Sequence, residues 1–307
     1  MSKSTIPLEG RRVFVTGAAR GIGAETARRL HARGARLALA GLEPELLAQV
    51  AQECGDAPWL QCDVTDRLQV EAAVEGAVER LGGLDVVIAN AGVAAPLPLV
   101  GGDPAIFERT IAVNLLGVYY TLRAAGPHIS HPRGYALPIA SLAAAVHAPM
   151  LGAYNASKAA VEALGDTLRT ELHHTGARVG VAYFAFIDTD MVKRGFETRA
   201  AQQVSPRGRG SSRTVPPGTV PLKVAIDAIE RGVERRSRRV TAPRWVDAVL
   251  PLRMLAQPLA DIGARRGLRE TLALAREEHA PLTTTQPAAE QRAAEQPTTE
   301  QAGSTIA

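Results

Sequence analysis

Cysteine, lysine, methionine and aromatic residues are all scarce in this chain of 307 residues. The two cysteines, Cys54 and Cys62, offer neither a disulfide framework nor a metal-ligand spacing. They read as reduced, partly buried thiols in a cytoplasmic protein. His128, His131, His147, His173, His174 and His279 show no ligand spacing either, so no metal is expected. No apolar stretch reaches the roughly 20 residues of a membrane-spanning helix. The N-terminus, rich in small and charged residues, lacks a signal-peptide core. The net charge of +4 leaves nucleic acid conceivable, but aromatics are only 4% and no stacking platform is visible, so no nucleic-acid partner is expected. There is no internal repeat. With 46% hydrophobic content, one sizeable core is affordable, and a single domain with an extension accounts for the length.

The shortage of lysine makes one of them conspicuous. Only Lys3, Lys158, Lys193 and Lys223 occur, so 31 of the 35 basic residues are arginine. Lys158 follows Tyr154 by four residues in Tyr-Asn-Ala-Ser-Lys. On a helix that spacing puts both side chains on one side. A nearby positive charge favours a phenolate and lowers the tyrosine pKa from about 10, which makes the pair a candidate proton donor near neutrality. The plainer alternative is a helix-surface pair stacking its stems.

Near the N-terminus, residues 11–15 read as a buried strand that runs into Thr16-Gly-Ala-Ala-Arg-Gly-Ile-Gly23 and then a helical pattern over 24–33. A strand, a glycine-rich turn and a helix make the phosphate-binding start of a dinucleotide fold. Gly17 permits the turn, Gly21 lets the backbone approach a pyrophosphate, and Gly23 allows close helix–strand packing. The helix N-terminus then presents free N–H groups to the phosphates. Further strands are expected at 36–40, 59–62, 86–89, 135–140, 179–185 and 239–241, separated by amphipathic helices at 45–53, 70–81, 106–125, 153–174 and 222–235. This alternation predicts an α/β fold, a doubly wound parallel sheet of Rossmann type, with ligands beyond the carboxyl ends of the strands. Gly17, Asp63, Asn90, Ser141 and residues 187–189 all fall there.

Together these residues resemble the short-chain dehydrogenase/reductase family over roughly residues 8–243. The likeness rests on the glycine turn, Asp63-Val64, Asn90-Ala91-Gly92, Asn114, Ser141, Tyr154-x-x-x-Lys158 and Thr189. The resemblance implies hydride transfer between a nicotinamide and a carbonyl or alcohol. Tyr154 is then the general acid or base, and Lys158 depresses its pKa and holds the nicotinamide ribose. Ser141 donates to the substrate oxygen, and Asn114 positions a water that links Lys158 to solvent. Taken singly, Ser141 could be a loop residue and Asn114 a mid-helix amide bonding backbone. The cofactor positions implied are Gly17, Arg20, Gly21, Ile22, Gly23, Asp63, Val64, Asn90, Ala91, Gly92, Tyr154, Lys158, Ile187 and Thr189. Asp63 with Val64 is expected at the adenine (a turn or cap carboxylate is the alternative), Asn90 to Gly92 at its ribose and in support of the central sheet, and Thr189 at the carboxamide.

The cofactor is NADP or NAD. NAD-preferring members place an acidic residue at the end of the second strand, where this chain has Gly41. Arg20 stands where it could reach a 2′-phosphate, and Glu43 where it could touch the ribose; the balance leans to NADP. Three departures from the family pattern bear on the site. Phe184-Ala185 replaces the frequent Pro-Gly after the sixth strand, Pro138 inside the fifth strand predicts a bulge, and Ala89 replaces a frequent Asn with little consequence expected.

The domains expected are a catalytic unit over 1–243, with a polar, glycine- and proline-hinged lid at about 190–221, an amphipathic helical extension over 244–280, and a disordered tail over 281–307 with too little apolar content to fold. The extension could cover the cleft, pack in a homodimer or homotetramer, or, less favoured, lie on a membrane surface. In the family, subunits pair through the helices at 106–125 and 153–174. A small-molecule substrate, mid-sized and fairly apolar, follows from Leu142, Val146, Met150, Leu151, Phe184 and Phe186. The alternative to an oxidoreductase is a non-catalytic dinucleotide sensor or scaffold on the same fold, which has no need of the acid–base pair.

Overall fold

The computed structural model describes residues 5–204, 218–265, 267–278 and 280–283. The centre of the expected lid, 205–217, and the tail from 284 onward lie outside these.

Strands β1 (Arg12–Thr16), β2 (Arg36–Gly41), β3 (Trp59–Gln61), β4 (Val86–Ala89), β5 (Tyr135–Pro138) and β6 (Arg178–Val179) form one sheet in the order β3-β2-β1-β4-β5-β6. All its pairings are parallel. β7 (Val181–Phe184) and β8 (Arg239–Ala242) pair parallel beside it, joined to β5 through an Ile139–Ala182 bridge. The order reverses at β1, where the crossovers go left to β2 and right to β4; the crevice at this switch point is where ligands bind in such sheets.

Both faces are covered because alternate residues of each strand point opposite ways. Val13, Val15, Leu37 and Leu39 enter one core with α1 (Gly21–Ala32), α2 (Pro44–Glu53) and α9 (Leu222–Arg235). Phe14, Ala38, Ala40 and Val87 enter the other with α3 (Arg67–Leu81) and α5 (Gly117–Ile129). Local signals set the helix ends. Asp66 caps α3 through the Leu68 and Gln69 amides, and Gly82 ends it at a φ of 73°. Asp103 caps α4 (Pro104–Ile111), whose first residue is a proline.

The bulge expected at Pro138 is absent: β4 and β5 stay in register through the Ala89–Pro138 pair. Its missing N–H acts on the other side. The Gly180 amide donates to the Ala136 carbonyl at 2.9 Å, and the next ladder bond would need an N–H at residue 138. Proline has none, and there the expected sixth strand divides into β6 and β7.

After β7 come α7 (Asp190–Gly195) and α8 (Arg199–Val204). The extension holds α10 (Val246–Val249), a 3₁₀ turn, α11 (Arg253–Ala264) and α12 (Leu268–Glu278). α12 packs on α8, and its Ala275 meets Ala200 and Met150 in a small apolar cluster. α11 leaves Met254, Leu255, Leu259 and Ile262 exposed. No helix among the described residues is long and apolar enough to cross a membrane.

Candidate active site

The glycine turn joins β1 to α1 with backbone packed on backbone. A Cβ on Gly17 would stand 2.8 Å from Ala91 Cα, and one on Gly23 would overlap the Gly17 carbonyl oxygen. Gly21, at a φ of 55°, has nothing within 4 Å of its added Cβ. The turn is therefore closed against β4 and open towards a cleft. Asn90 closes it: Nδ2 donates to the carbonyls of Thr16 (3.0 Å) and Gly17 (3.1 Å), and its backbone N–H donates to the Thr16 hydroxyl. The side chain thus braces the turn while lining the cleft.

All the predicted site residues except Gly23 and Asn114 line this one cleft, from Gly17 at one end to Ser141, Tyr154, Lys158 and Thr189 at the other. Asn114 lies just behind it in a π-helical turn, Ala112–Leu116, where α4 passes into α5. Fully buried, its Nδ2 donates to the Val93 carbonyl (2.9 Å) and Ser157 Oγ (3.1 Å), while Oδ1 accepts from the Val93 N–H (2.8 Å). Both amide hydrogens are engaged and one acceptor site on Oδ1 remains. The mid-helix backbone bonding and a single free acceptor coexist in the same residue.

Ser141 leaves β5 and opens a 3₁₀ turn; its Oγ accepts from the Ala143 N–H (3.1 Å) and donates to the Phe184 carbonyl (3.2 Å). Tyr154 and Lys158 sit at the start of α6 (Gly152–Glu171). Lys158 Nζ donates to the Ile139 carbonyl at 2.8 Å and stands 5.5 Å from the centre of the Tyr154 ring. Burial brings the lysine down to about 8 from its ordinary 10.5. The depression of Tyr154 expected from Lys158 is not what the protein alone produces. Burial raises the phenol, and only the Ser141 hydroxyl pulls it back. The physical reason is that burial works against both charged forms, and the ammonium is drawn to the Ile139 carbonyl rather than to the phenol oxygen.

At the other end, Asp63 serves as a turn carboxylate as well as lining the cleft. Oδ1 accepts from the Thr65 N–H (3.0 Å) and hydroxyl (2.8 Å), and Oδ2 pairs with Arg109 (3.0 Å). Burial raises its pKa, but the bonds from Thr65 and Arg109 outweigh that and hold it below the usual carboxylate range. Arg20 pairs with Glu43 at 2.5 Å across the mouth of the cleft. Thr189 caps α7 and bonds the Ile187 carbonyl. Of the six apolar residues expected at the substrate, only Phe184 lines the cleft; Phe186 is exposed and stacks edge-on with Phe196.

Thr283, in the segment expected to be disordered, is 3% exposed and lines the cleft. Its N–H donates to the Ala94 carbonyl (2.9 Å), and its hydroxyl accepts from the Ala94 N–H (3.0 Å). The surrounding Thr, Gln and Pro composition carried no signal of this contact.

Comparison with known proteins agrees with the geometry. The family model described as short chain dehydrogenase matches residues 11–200. Momilactone A synthase of Oryza sativa subsp. japonica is 37% identical over 191 residues, which are 61% of this chain and 70% of that protein. Levodione reductase, a solved structure, is 26% identical with a TM-score of 0.67, over 78% of this chain and 98% of that one. A short-chain dehydrogenase/reductase from Burkholderia phymatum, solved in complex with NAD, has a TM-score of 0.69 at 23% identity over 81% of this chain and 95% of that one, a likeness of fold.

Proposed function

The chain belongs to the short-chain dehydrogenase/reductase family, and from that premise we propose that it interconverts a secondary alcohol and a ketone, or an alcohol and an aldehyde, using a dinucleotide held along the cleft. Family membership makes it an NAD(P)-dependent oxidoreductase. The observation that carries the finer reading is the convergence of Ser141, Tyr154 and Lys158 on the cleft that begins at the glycine turn.

The residues present fit a dinucleotide. The turn leaves open space only at Gly21, where the first N–H groups of α1 can receive a pyrophosphate. Ile187 and Thr189 would flank the nicotinamide. When bound, the cofactor supplies hydride transfer to or from the substrate carbon. The chain supplies the proton chemistry. Tyr154 gives its phenolic proton to the carbonyl oxygen in reduction and takes it from the hydroxyl in oxidation. The Ser141 hydroxyl donates to the same oxygen, where negative charge develops. Lys158 stabilises the phenolate once it forms, and a water on the free acceptor of Asn114 would pass protons onward.

Gly41 and Arg20 alone lean to NADP. The pairing of Arg20 with Glu43 bears the other way: it neutralises the arginine and supplies, two residues later, the carboxylate missing at position 41. NAD is therefore the cofactor we assign. The substrate is a small molecule. A homodimer or homotetramer would form through α4 to α6, where Leu116 and Tyr119 are exposed.

The test is a fluorescence titration of the purified protein with NADH and NADPH, followed by a carbonyl and alcohol panel with the tighter cofactor. Tight NADH binding with turnover supports the proposal. Binding without turnover would favour the sensor or scaffold reading, and binding of neither would overturn the proposal.

A further inference from the structure

We propose that residues 280–283 form a clasp across the reaction end of the cleft and that Thr283 determines which substrates fit there; this rests on the oxidoreductase reading above. The segment is anchored before it arrives. Glu278, the last residue of α12, accepts from the backbone N–H groups of Arg199 and Ala200 at 2.9 Å each, and from the Arg199 side chain at 3.2 Å. Ala280 then turns inward and is buried.

Thr283 bridges the two lips of the cleft. On one side it makes two hydrogen bonds with Ala94, which directly follows Val93, the residue whose backbone Asn114 holds. On the other, its carbonyl accepts from Arg194 Nη1 at 3.3 Å, and its methyl packs by Gly195 at the end of α7, the helix that Thr189 caps. The β4 loop and the β7 loop each carry cofactor-site residues, so a residue tied to both borders the space a substrate must enter. A hydroxyl and a methyl at that border discriminate by size. Opening the clasp requires the Ala94 and Arg194 bonds to break and Leu282 to leave the core it packs against, while the Glu278 anchor keeps the segment close.

The chain provides its own background for a test. Cys54 and Cys62 are buried, with thiols pushed up by burial to about 11 and about 12, so neither reacts readily. In the full-length protein, a Thr283→Cys thiol should react with iodoacetamide about a hundredfold more slowly than free cysteine, since reaction waits on opening. Adding Glu278→Gln, which weakens the anchor, should speed labelling about tenfold. Labelling at the free-cysteine rate, indifferent to Glu278→Gln, overturns the clasp. For specificity, the ratio of kcat/KM for cyclohexanone over benzophenone should fall about tenfold in Thr283→Ala and rise in Thr283→Phe, with the Kd for NADH changed less than about twofold. An unmoved ratio removes Thr283 from specificity. Failure of the wild-type chain to bind NADH would sink the oxidoreductase reading, and the labelling rates would still decide the clasp.

Discussion

Lys158 aims its ammonium at the Ile139 carbonyl, 2.8 Å away, and meets Tyr154 only across the ring, 5.5 Å from its centre. The two side chains share one turn of α6, as their spacing requires, without a direct bond from ammonium to phenol oxygen. Tyr154 is consequently neutral in the free protein, raised by burial and partly restored by Ser141. Removing its hydroxyl removes the proton donor and little else. Tyr154→Phe should lower kcat by about 10²- to 10⁴-fold with the dinucleotide Kd unchanged. Steady-state rates beside a binding titration check this; near-normal turnover would refute the acid–base assignment.

Lys158 is held in the fold at a cost. Its pKa falls from 10.5 to about 8 on burial, so between those values the unfolded chain binds more protons than the folded one, and stability rises with pH across that window. At 1.36 kcal/mol per pH unit, the charged form destabilises the fold by roughly 3 kcal/mol below pH 8. Lys158→Met should therefore abolish turnover yet raise stability at pH 7, by somewhat less than this because the Ile139 carbonyl loses its donor. The gain should shrink between pH 8 and 10.5. Denaturant melts at pH 7 and pH 10 measure it, and a destabilised variant at pH 7 would contradict the account.

The parallel sheet, the switch point and the glycine turn were legible because each follows from a local pattern: apolar runs alternating with amphipathic helices, and glycines where backbone must meet backbone. What local pattern cannot carry is the partner of a side chain. The expected support of the sheet by Asn90 takes the form of two bonds to the Thr16 and Gly17 carbonyls, 74 and 73 residues away in the chain, a pairing no local pattern specifies. Pro138 predicts a bulge in its own strand, but the consequence of its missing N–H falls on the neighbouring strand. Composition points to disorder at Thr283, since a four-residue segment held by bonds to Ala94 and Arg194 leaves no periodicity. The pKa of Tyr154 depends on burial, which sequence spacing does not report.

The last two glycines of the turn, Gly21 and Gly23, separate folding from binding. Gly23→Ala places a Cβ on the Gly17 carbonyl, so helix and strand must part, and both stability and dinucleotide binding should collapse. Gly21→Ala meets open space and carries only the strain of a positive φ, about 1 kcal/mol. It should melt within a few degrees of wild type while losing dinucleotide affinity, because the added methyl occupies the approach to the pyrophosphate. Paired thermal melts and NADH titrations distinguish them. Equal affinity in Gly21→Ala and wild type would mean the phosphates lie elsewhere.

Cofactor choice should turn on the Arg20–Glu43 ion pair at the mouth of the cleft. With Glu43 at 2.5 Å, Arg20 is neutralised and a 2′-phosphate would face a carboxylate. Glu43→Gln removes that charge and frees the guanidinium, which can then take the phosphate bidentately. The kcat/KM ratio of NADP over NAD should rise about tenfold, the worth of one charge-assisted hydrogen bond. Gly41→Asp should act in the opposite sense: its Cβ is accommodated at 3.5 Å from Leu47, and it sets a second carboxylate at the ribose. Glu43 belongs to a partly exposed ion pair, so stability in Glu43→Gln should stay within about 0.5 kcal/mol. If the ratio moves in neither, the adenosine ribose does not lie against Arg20 and Glu43, and the assignment of NAD loses its support.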